Sequence, residues 1–437
     1  MKKRLFVGAL VGIAATLALV AAAYSGVTRS AAPTSRLDLP ASSCSKLVYG
    51  GSGKPQFLIA SDLPLQGAGR AQTIQMTQAI GFIIKQHGYK AGKYTVGYQS
   101  CDDATPQTGA WDAAKCTANA RAYVGEKKLI GVIGTFNSGC AKLIIPVLNR
   151  ASGGPIAMVS PANTYPGLTV GGPGTVSGEP NNYYPTGKRN YARVVWTDQF
   201  QGAADALYAK KLGLKNVYVL TDKQTYGFGI ATLFKRALGK LGIKTAGFEA
   251  WDIKGTSYEA NASKIKQSGA DAVFLGGLVC FNGGKLIKDI RAALGPKFPI
   301  LAPDGFTPPS AVVDGAGADA EGVYISHPGI PNNQLKGTGK AFVTQFGAQF
   351  KKTIAPYTAY AAQAAEVLLG AIANSDGSRA SVTANLFKTK VTNGILGSFS
   401  IDKNGDTTLG TVTIGQIKGG KEVILTTITP PLSFVKG

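Results

Sequence analysis

Short apolar segments alternate with longer amphipathic ones along most of this chain, and that alternation restricts the fold more than any other feature. FLIASDLPL leads into AGRAQTIQMTQAIGFIIKQHG, YTVGYQS into GAWDAAKCTANARAYVGEK, LIGVIGT into SGCAKLIIPVLNRA, and GPIAMVSP follows. Strand and helix in this order predict a parallel sheet covered by helices on both faces. After a loop rich in Gly, Pro and Asn (170–190) the pattern restarts with YARVVW and continues through NVYVLTD, KTAGFEAWD, AVFLGGLV and PILAPDG, with a helix after each of the first four. In the helix starting at Tyr226, Phe234, Leu238 and Leu241 fall on one face. Two such units in 437 residues, 44% of them hydrophobic, predict an α/β protein of two lobes. The remaining stretches, from GVYISHP to the hairpin-like SFSIDKNGDTTLGTVTIGQIKGGKE, read as pieces returned to the two sheets. Within the last, IDKNGD lacks the acidic spacing of a calcium loop, and Asn404-Gly405 is a hairpin turn signal.

The amino terminus, MKKR followed by an uncharged stretch from Leu5 to Ala23, matches a secretory signal cut after Ala23 (residues 1–23). The stretch is also just long enough to span a bilayer, so a retained anchor is the alternative. In either case the body is exported, to the periplasm or the outer face of the cell membrane. Residues 24–54, rich in Ser, Ala, Gly and Pro, read as a linker outside the fold. Export gives the net charge of +22 a partner other than nucleic acid; the Lys residues are spread over helix surfaces and read as a solvated face. Five cysteines in an exported chain make disulfides expected. Cys101, Cys116 and Cys140 converge at one sheet edge in this reading, with Cys101–Cys116 and Cys101–Cys140 both reasonable and Cys44 or Cys280 left free. No histidine lies near them, so no metal site is expected.

Residues for catalysis by the common routes are not visible. His87 and His327 are the two histidines, and neither sits in a nucleophile or metal arrangement. There is no HExxH, GxSxG, paired CxxC, or GxGxxG after a first strand. The chain therefore reads as a binder without cofactor or metal. Ligands of open α/β sheets sit beyond the carboxyl ends of the strands, and those ends here are polar: SDLPLQG, GTFNSGC, VSPANT, TDKQTYG, GGLVC and APDG. In TFNSGC a helix begins after Asn137, so Ser138 offers a hydroxyl and an N–H at a positive helix end, where a carboxylate is held. Ala162 and Thr164 add N–H groups, and Thr164 a hydroxyl. An ammonium needs a carboxylate opposite, and Asp304 is the acidic residue at a strand end of the second unit. Simple capping accounts equally for Ser138 and Thr164, and an Asp-Gly turn for Asp304.

The strings VIGTFNSGCA, MVSPANTYPGLT, TDKQTYGFG and APDG, in this order and spacing, resemble the branched-chain amino acid binding proteins of ATP-driven (ABC) import systems. These are type I periplasmic solute-binding proteins, and the likeness runs from about Phe57 to the carboxyl end. It implies a two-lobed type I fold, each lobe a mostly parallel sheet flanked by helices, joined by a hinge that the chain crosses three times. Lobe 1 would be 55–195 plus 327–396, and lobe 2 would be 197–326 plus 397–437. The resemblance further implies that Ser138, Ala162 and Thr164 grip the amino acid carboxylate, while Tyr226 and Asp304 come from the other lobe. The expected partners are an amino acid-like ligand and a membrane permease, and the expected state is a monomer, membrane-tethered if residues 5–23 are retained.

Four positions depart from the family pattern. Ala68 stands where leucine binders carry an aromatic, Asn137 precedes the carboxylate serine, Leu278 replaces a common aromatic, and Asp304 is shorter than the usual Glu. The side-chain pocket is therefore expected to differ, with another amino acid, an amide, urea or an aromatic acid as alternative ligands. A membrane-anchored sensory or regulatory binding protein for such a ligand is the rival reading, and an exported enzyme the third.

Overall fold

The computed structural model describes residues 38–436; the signal or anchor expected over residues 1–23 lies outside them. The first sheet is built from β1 (Phe57–Leu63), β2 (Lys90–Ala91), β3 (Tyr94–Asp102), β4 (Leu129–Gly134), β5 (Ala157–Ser160) and β6 (Tyr191–Arg193). Their order is β2-β3-β1-β4-β5-β6, parallel except at β2. Helices α1 (Arg70–Gln86), α2 (Ala113–Gly125) and α3 (Ser138–Asn149) connect these strands. Leu58 and Ala60 of β1 enter one buried cluster, with Ile144 and Leu148 of α3, while Ile59 and Leu63 enter the other, with Ile80 and Ile83 of α1. A strand buried on both faces carries an unbroken apolar run, which is what FLIA supplies.

The restart of the alternation reads YARVVW as opening the second unit, whereas the family likeness puts residues 191–195 in lobe 1; β6 takes the free edge of β5 in the first sheet, with Met158 opposite Tyr191. The second sheet holds β7 (Asn216–Thr221), β8 (Lys244–Ala250), β9 (Ala272–Gly276), β10 (Ile300–Ala302) and β11 (Tyr324–Pro328). Between and around them run α4 (Asp198–Lys211), α5 (Thr225–Lys240), α6 (Glu259–Gln267), α7 (Gly283–Leu294) and α8 (Pro309–Ala316). Val217 and Val219 face one cluster and Tyr218 and Leu220 the other, the alternation of a strand covered on both sides.

The chain then returns to the first sheet. α9 (Thr338–Phe350), α10 (Thr358–Ala373) and α11 (Arg379–Leu386) follow, with α10 packed on α1, β4 and β5. A small hairpin, β12 (Lys390–Gly394) with β13 (Gly397–Ser400), precedes β14 (Val412–Lys418) and β15 (Lys421–Ile428), which add antiparallel strands to the second sheet beside β11. This is the return of the carboxyl-terminal pieces that the sequence requires. Among the described residues no helix is long and apolar enough to cross a membrane.

The cysteines pair differently from either expected arrangement. Cys44 bonds Cys101, and Cys116 bonds Cys140, leaving Cys280 free. The physical reason lies in the segment read as linker. Leu39 and Cys44 are buried, Cys44 bridges to Cys101 and Val48 to Tyr98 in antiparallel fashion, so residues 44–48 run alongside β3 and fold with it. Cys101 is thereby taken, while packing of α2 on α3 brings Cys116 to Cys140. Closing that loop, over a sequence separation of 24, constrains the unfolded chain by about 3 kcal/mol. The double variant Cys116→Ala/Cys140→Ala is expected to lose about that much stability in urea unfolding; an unchanged midpoint would contradict the structural role.

Candidate functional site

The loop after β5 is organised by Ser160 and Asn163. Ser160 Oγ donates to the carbonyl of Thr135 (3.0 Å) and accepts from the N–H groups of Ala162 (3.1 Å) and Asn163 (2.8 Å). Asn163 Nδ2 donates to Thr135 Oγ1 and to the Phe136 carbonyl. The small polar residues of VSPANT thus tie the β4 and β5 loops into one wall. The Ala162 N–H, expected to face a carboxylate, donates to Ser160 Oγ in that tie, and Ala162 lines the cavity. Thr164 Oγ1 is buried and makes no hydrogen bond within the protein. Ser138, first residue of α3, is 2% exposed and accepts only a long 3.4 Å bond from Tyr165 N–H, so its hydroxyl proton is uncommitted.

Arg193, unnoticed in the sequence, anchors this wall. Its fully buried guanidinium donates to the carbonyls of Asn163 (2.8 Å) and Tyr165 (2.9 Å), to Thr169 Oγ1, and to Asp406 Oδ1 (2.8 Å). A cation inside the otherwise apolar YARVVW was the available signal, since an Arg in a buried strand must be paired.

The opposite wall comes from the second sheet. Asp222, after β7, accepts from the N–H groups of Gln224 (2.8 Å) and Leu278 (3.1 Å), joining the β7 and β9 loops; burial pushes its pKa up to about 7. Tyr226 stands in the first turn of α5, and its phenol donates to Asp304 Oδ1 at 2.5 Å. A Cβ on Gly305 would lie 2.2 Å from the Gly277 carbonyl and one on Gly227 2.1 Å from Asp222 Oδ1, so these glycines allow the loops to close. The second oxygen of Asp304 accepts from the phenol of Tyr357, the residue before α10. Tyr357 belongs to the segment packed on the first sheet, so this hydrogen bond crosses between the lobes; Gln72 of α1 to Thr307 Oγ1 (3.1 Å) is another crossing. YTAYAAQAAEVLLG reads as a helix from end to end, and nothing in it marked Tyr357.

Burial raises the pKa of Asp304, and the phenols of Tyr226 and Tyr357 oppose the shift. Asp198 and Asp205 of α4 are also raised, by burial first and then by the charge of Asp304. Asp198 is fully buried and neither oxygen makes a hydrogen bond of ordinary geometry, although the nearby Thr164 hydroxyl favours its ionised form.

Asn137, Ser138, Ala162, Thr164, Tyr226, Leu278 and Asp304 all line one cavity, with Phe136 and Gly305. Its volume is about 10 Å³, room for about one water molecule. Ala68 does not line it. A hydroxyl-bearing helix start faces a carboxylate across the cavity, a dipolar arrangement suited to a small molecule carrying both charges.

Residues 57–421 match the family described as periplasmic binding protein. The chain is 28% identical over 300 residues to an amino acid binding protein of Pseudomonas aeruginosa, covering 68% of this chain and 74% of that one. It is 27% identical over 392 residues to the Leu/Ile/Val-binding protein homolog 2 of Brucella abortus, covering 87% and 95%. Among solved structures, the leucine binding protein LivK of Thermotoga maritima is similar with a TM-score of 0.73 and 25% identity, over 86% of this chain and 99% of that one.

Proposed function

The chain belongs to the periplasmic binding protein family, and from that premise we propose that it is the extracytoplasmic substrate-binding component of an ABC transporter. It captures a branched-chain or related amino acid by hinge closure and delivers it to a membrane permease. The observation that carries this reading is the meeting of Ser138 and Thr164 from one sheet with Tyr226 and Asp304 from the other around a single cavity. In this reading the ligand carboxylate takes the Ser138 hydroxyl, the α3 N-terminus and Thr164 Oγ1, and the ammonium faces Asp304. Asn137, Ala162 and Leu278 shape the remaining wall. We assign 55–195 with 327–396 to one lobe and 197–326 with 397–437 to the other, with crossings at the end of β11 and within the β12–β13 hairpin. The relatives' names support the ligand class, since one of them is named for leucine, isoleucine and valine.

Closure follows from the geometry. About 10 Å³ does not admit an amino acid, so the walls must part for entry. The walls then close around the ligand less tightly than they meet here, and the ligand stabilises that closed form by its differential affinity. A thermal-shift screen of the protein with its Cys44–Cys101 disulfide intact, against amino acids, short amides, urea and aromatic carboxylates, tests the ligand class. A ligand at a hundredfold excess over its Kd adds about 2.7 kcal/mol. Stabilisation by leucine, isoleucine or valine is expected; stabilisation by aromatic acids alone would overturn the amino acid reading.

Tyr357→Phe removes the phenol that reaches Asp304 from the other lobe. It is expected to weaken ligand binding by about tenfold, the loss of one hydrogen bond to a charged group, about 1.5 kcal/mol. Calorimetry checks the affinity, and small-angle scattering checks that the variant is more open; unchanged values in both would remove Tyr357 from the closing mechanism.

A further inference from the structure

The two lobes also meet outside the ligand cavity, on α5. Gly229 lies inside that helix, where glycine is less favourable than alanine, so its presence there needs a reason. A Cβ on Gly229 would lie 2.7 and 2.9 Å from two ring carbons of Tyr165 and 3.3 Å from the Gly174 carbonyl. Both residues belong to the loop after β5, on the first sheet's side. The crowding is reciprocal: a Cβ on Gly174 would lie 2.9 Å from Leu233 Cγ and 3.1 Å from the Gly229 carbonyl, both in α5. The nearest atoms that a side chain at either position would meet are therefore those of the opposite lobe.

The loop presents Tyr165 and Gly174 as one unit. Gly174 sits at φ +79° in a tight turn, in which the Gly172 N–H donates to Thr175 Oγ1 at 3.0 Å and the Thr175 N–H to the Gly172 carbonyl at 3.1 Å. Gly172, Pro173 and Val176 are exposed while Gly174 between them is buried, so the turn lies with its tip against α5. Glu179 fixes the turn to Tyr165: its carboxylate accepts from the Tyr165 phenol (2.6 Å), from the Val176 N–H (2.8 Å) and from the Tyr183 phenol. Tyr165 directly follows Thr164, and Gly229 stands about one turn along α5 from Tyr226. The contact thus lies beside two of the residues that line the cavity.

We propose that residues 165–183 form a strap that rests on α5 when the lobes meet, and that the absence of side chains at Gly174 and Gly229 sets how far the lobes close. The proposal rests on the two-lobed, hinge-closing reading. Gly229 is a positioning residue, since it does not line the cavity. A large side chain there wedges the strap off α5 and with it holds Thr164 away from Tyr226. Tryptophan, far larger than the single carbon the contact already refuses, also blocks the looser closure around a ligand. The closed form then becomes a minor population, and apparent affinity falls by that fraction.

Small-angle scattering of the ligand-free protein, with both disulfides intact, is expected to give a larger radius of gyration for Gly229→Trp than for the wild type. Calorimetry with leucine should show binding weaker by at least about tenfold. Gly239→Trp is the control: it lies on the same helix, a Cβ there meets nothing within 4 Å, and it should change neither value. Gly229→Leu makes the same comparison should the tryptophan variant not fold. A Gly229 variant as compact as the wild type, an equal expansion in Gly239→Trp, or expansion with unchanged leucine affinity would each overturn the proposal. The scattering comparison needs no ligand, so failure of the amino acid screen leaves the strap standing, and a compact Gly229→Trp that binds leucine leaves the cleft reading standing without the strap.

Discussion

Asp304→Asn is expected to weaken leucine binding by about 30- to 5000-fold, about 2 to 5 kcal/mol, measured by calorimetry. The amide keeps the shape of the side chain and can still meet the Tyr226 and Tyr357 phenols, so the loss isolates the charge that would face the ammonium. Folding should survive, since the substitution removes a carboxylate whose ionisation is penalised by burial. The same burial gives a pH signature. An ammonium favours ionised Asp304, so affinity is present above the raised pKa of the ligand-free protein and falls as pH drops through it. The fall should begin above the ordinary carboxylate range near 3.8 and be absent in the variant. A loss below threefold would remove Asp304 from the site.

Arg193→Met is expected to destabilise the protein by about 3 to 5 kcal/mol in urea unfolding, the range for breaking a buried ion pair by deleting one partner. The methionine fills much of the volume but leaves Asp406 unpaired and the carbonyls of Asn163 and Tyr165 without their donor. Those carbonyls belong to the loop that carries Ala162 and Thr164, so ligand affinity should fall with stability. A loss under 1 kcal/mol would mean that the loop is held by Ser160 and Asn163 alone.

The architecture was legible because strands buried on both faces must be apolar throughout, as FLIA, LIGVIG and VYVL are, and because turn residues separate them from helices. The first sheet's last strand was not, since periodicity shows that YAR is a strand without showing which edge it takes. The cysteine pairing failed for a similar reason. Residues 38–54 carry the composition of a tether, yet Leu39 is buried and Cys44 lies against Cys101, contacts that local composition does not encode. At the site, the seven residues named from motif order line one cavity, because motifs at strand ends are brought together by any parallel sheet. What the motifs could not show is how their groups are spent: the Ala162 N–H goes to Ser160, and Asp304 is bound from the far lobe by Tyr357. Both depend on tertiary contacts between segments distant in sequence.

Calorimetric titration with leucine and its two truncated analogues, 4-methylpentanoate without the ammonium and 3-methylbutylamine without the carboxylate, bears most directly on the proposed dipolar cleft. Leucine should bind, and each analogue should bind at least about 30-fold more weakly, because each leaves one buried charge or donor set unmet. Equal binding of either analogue and leucine, or no binding of leucine, isoleucine or valine at all, would contradict the capture of an amino acid between Ser138 and Asp304.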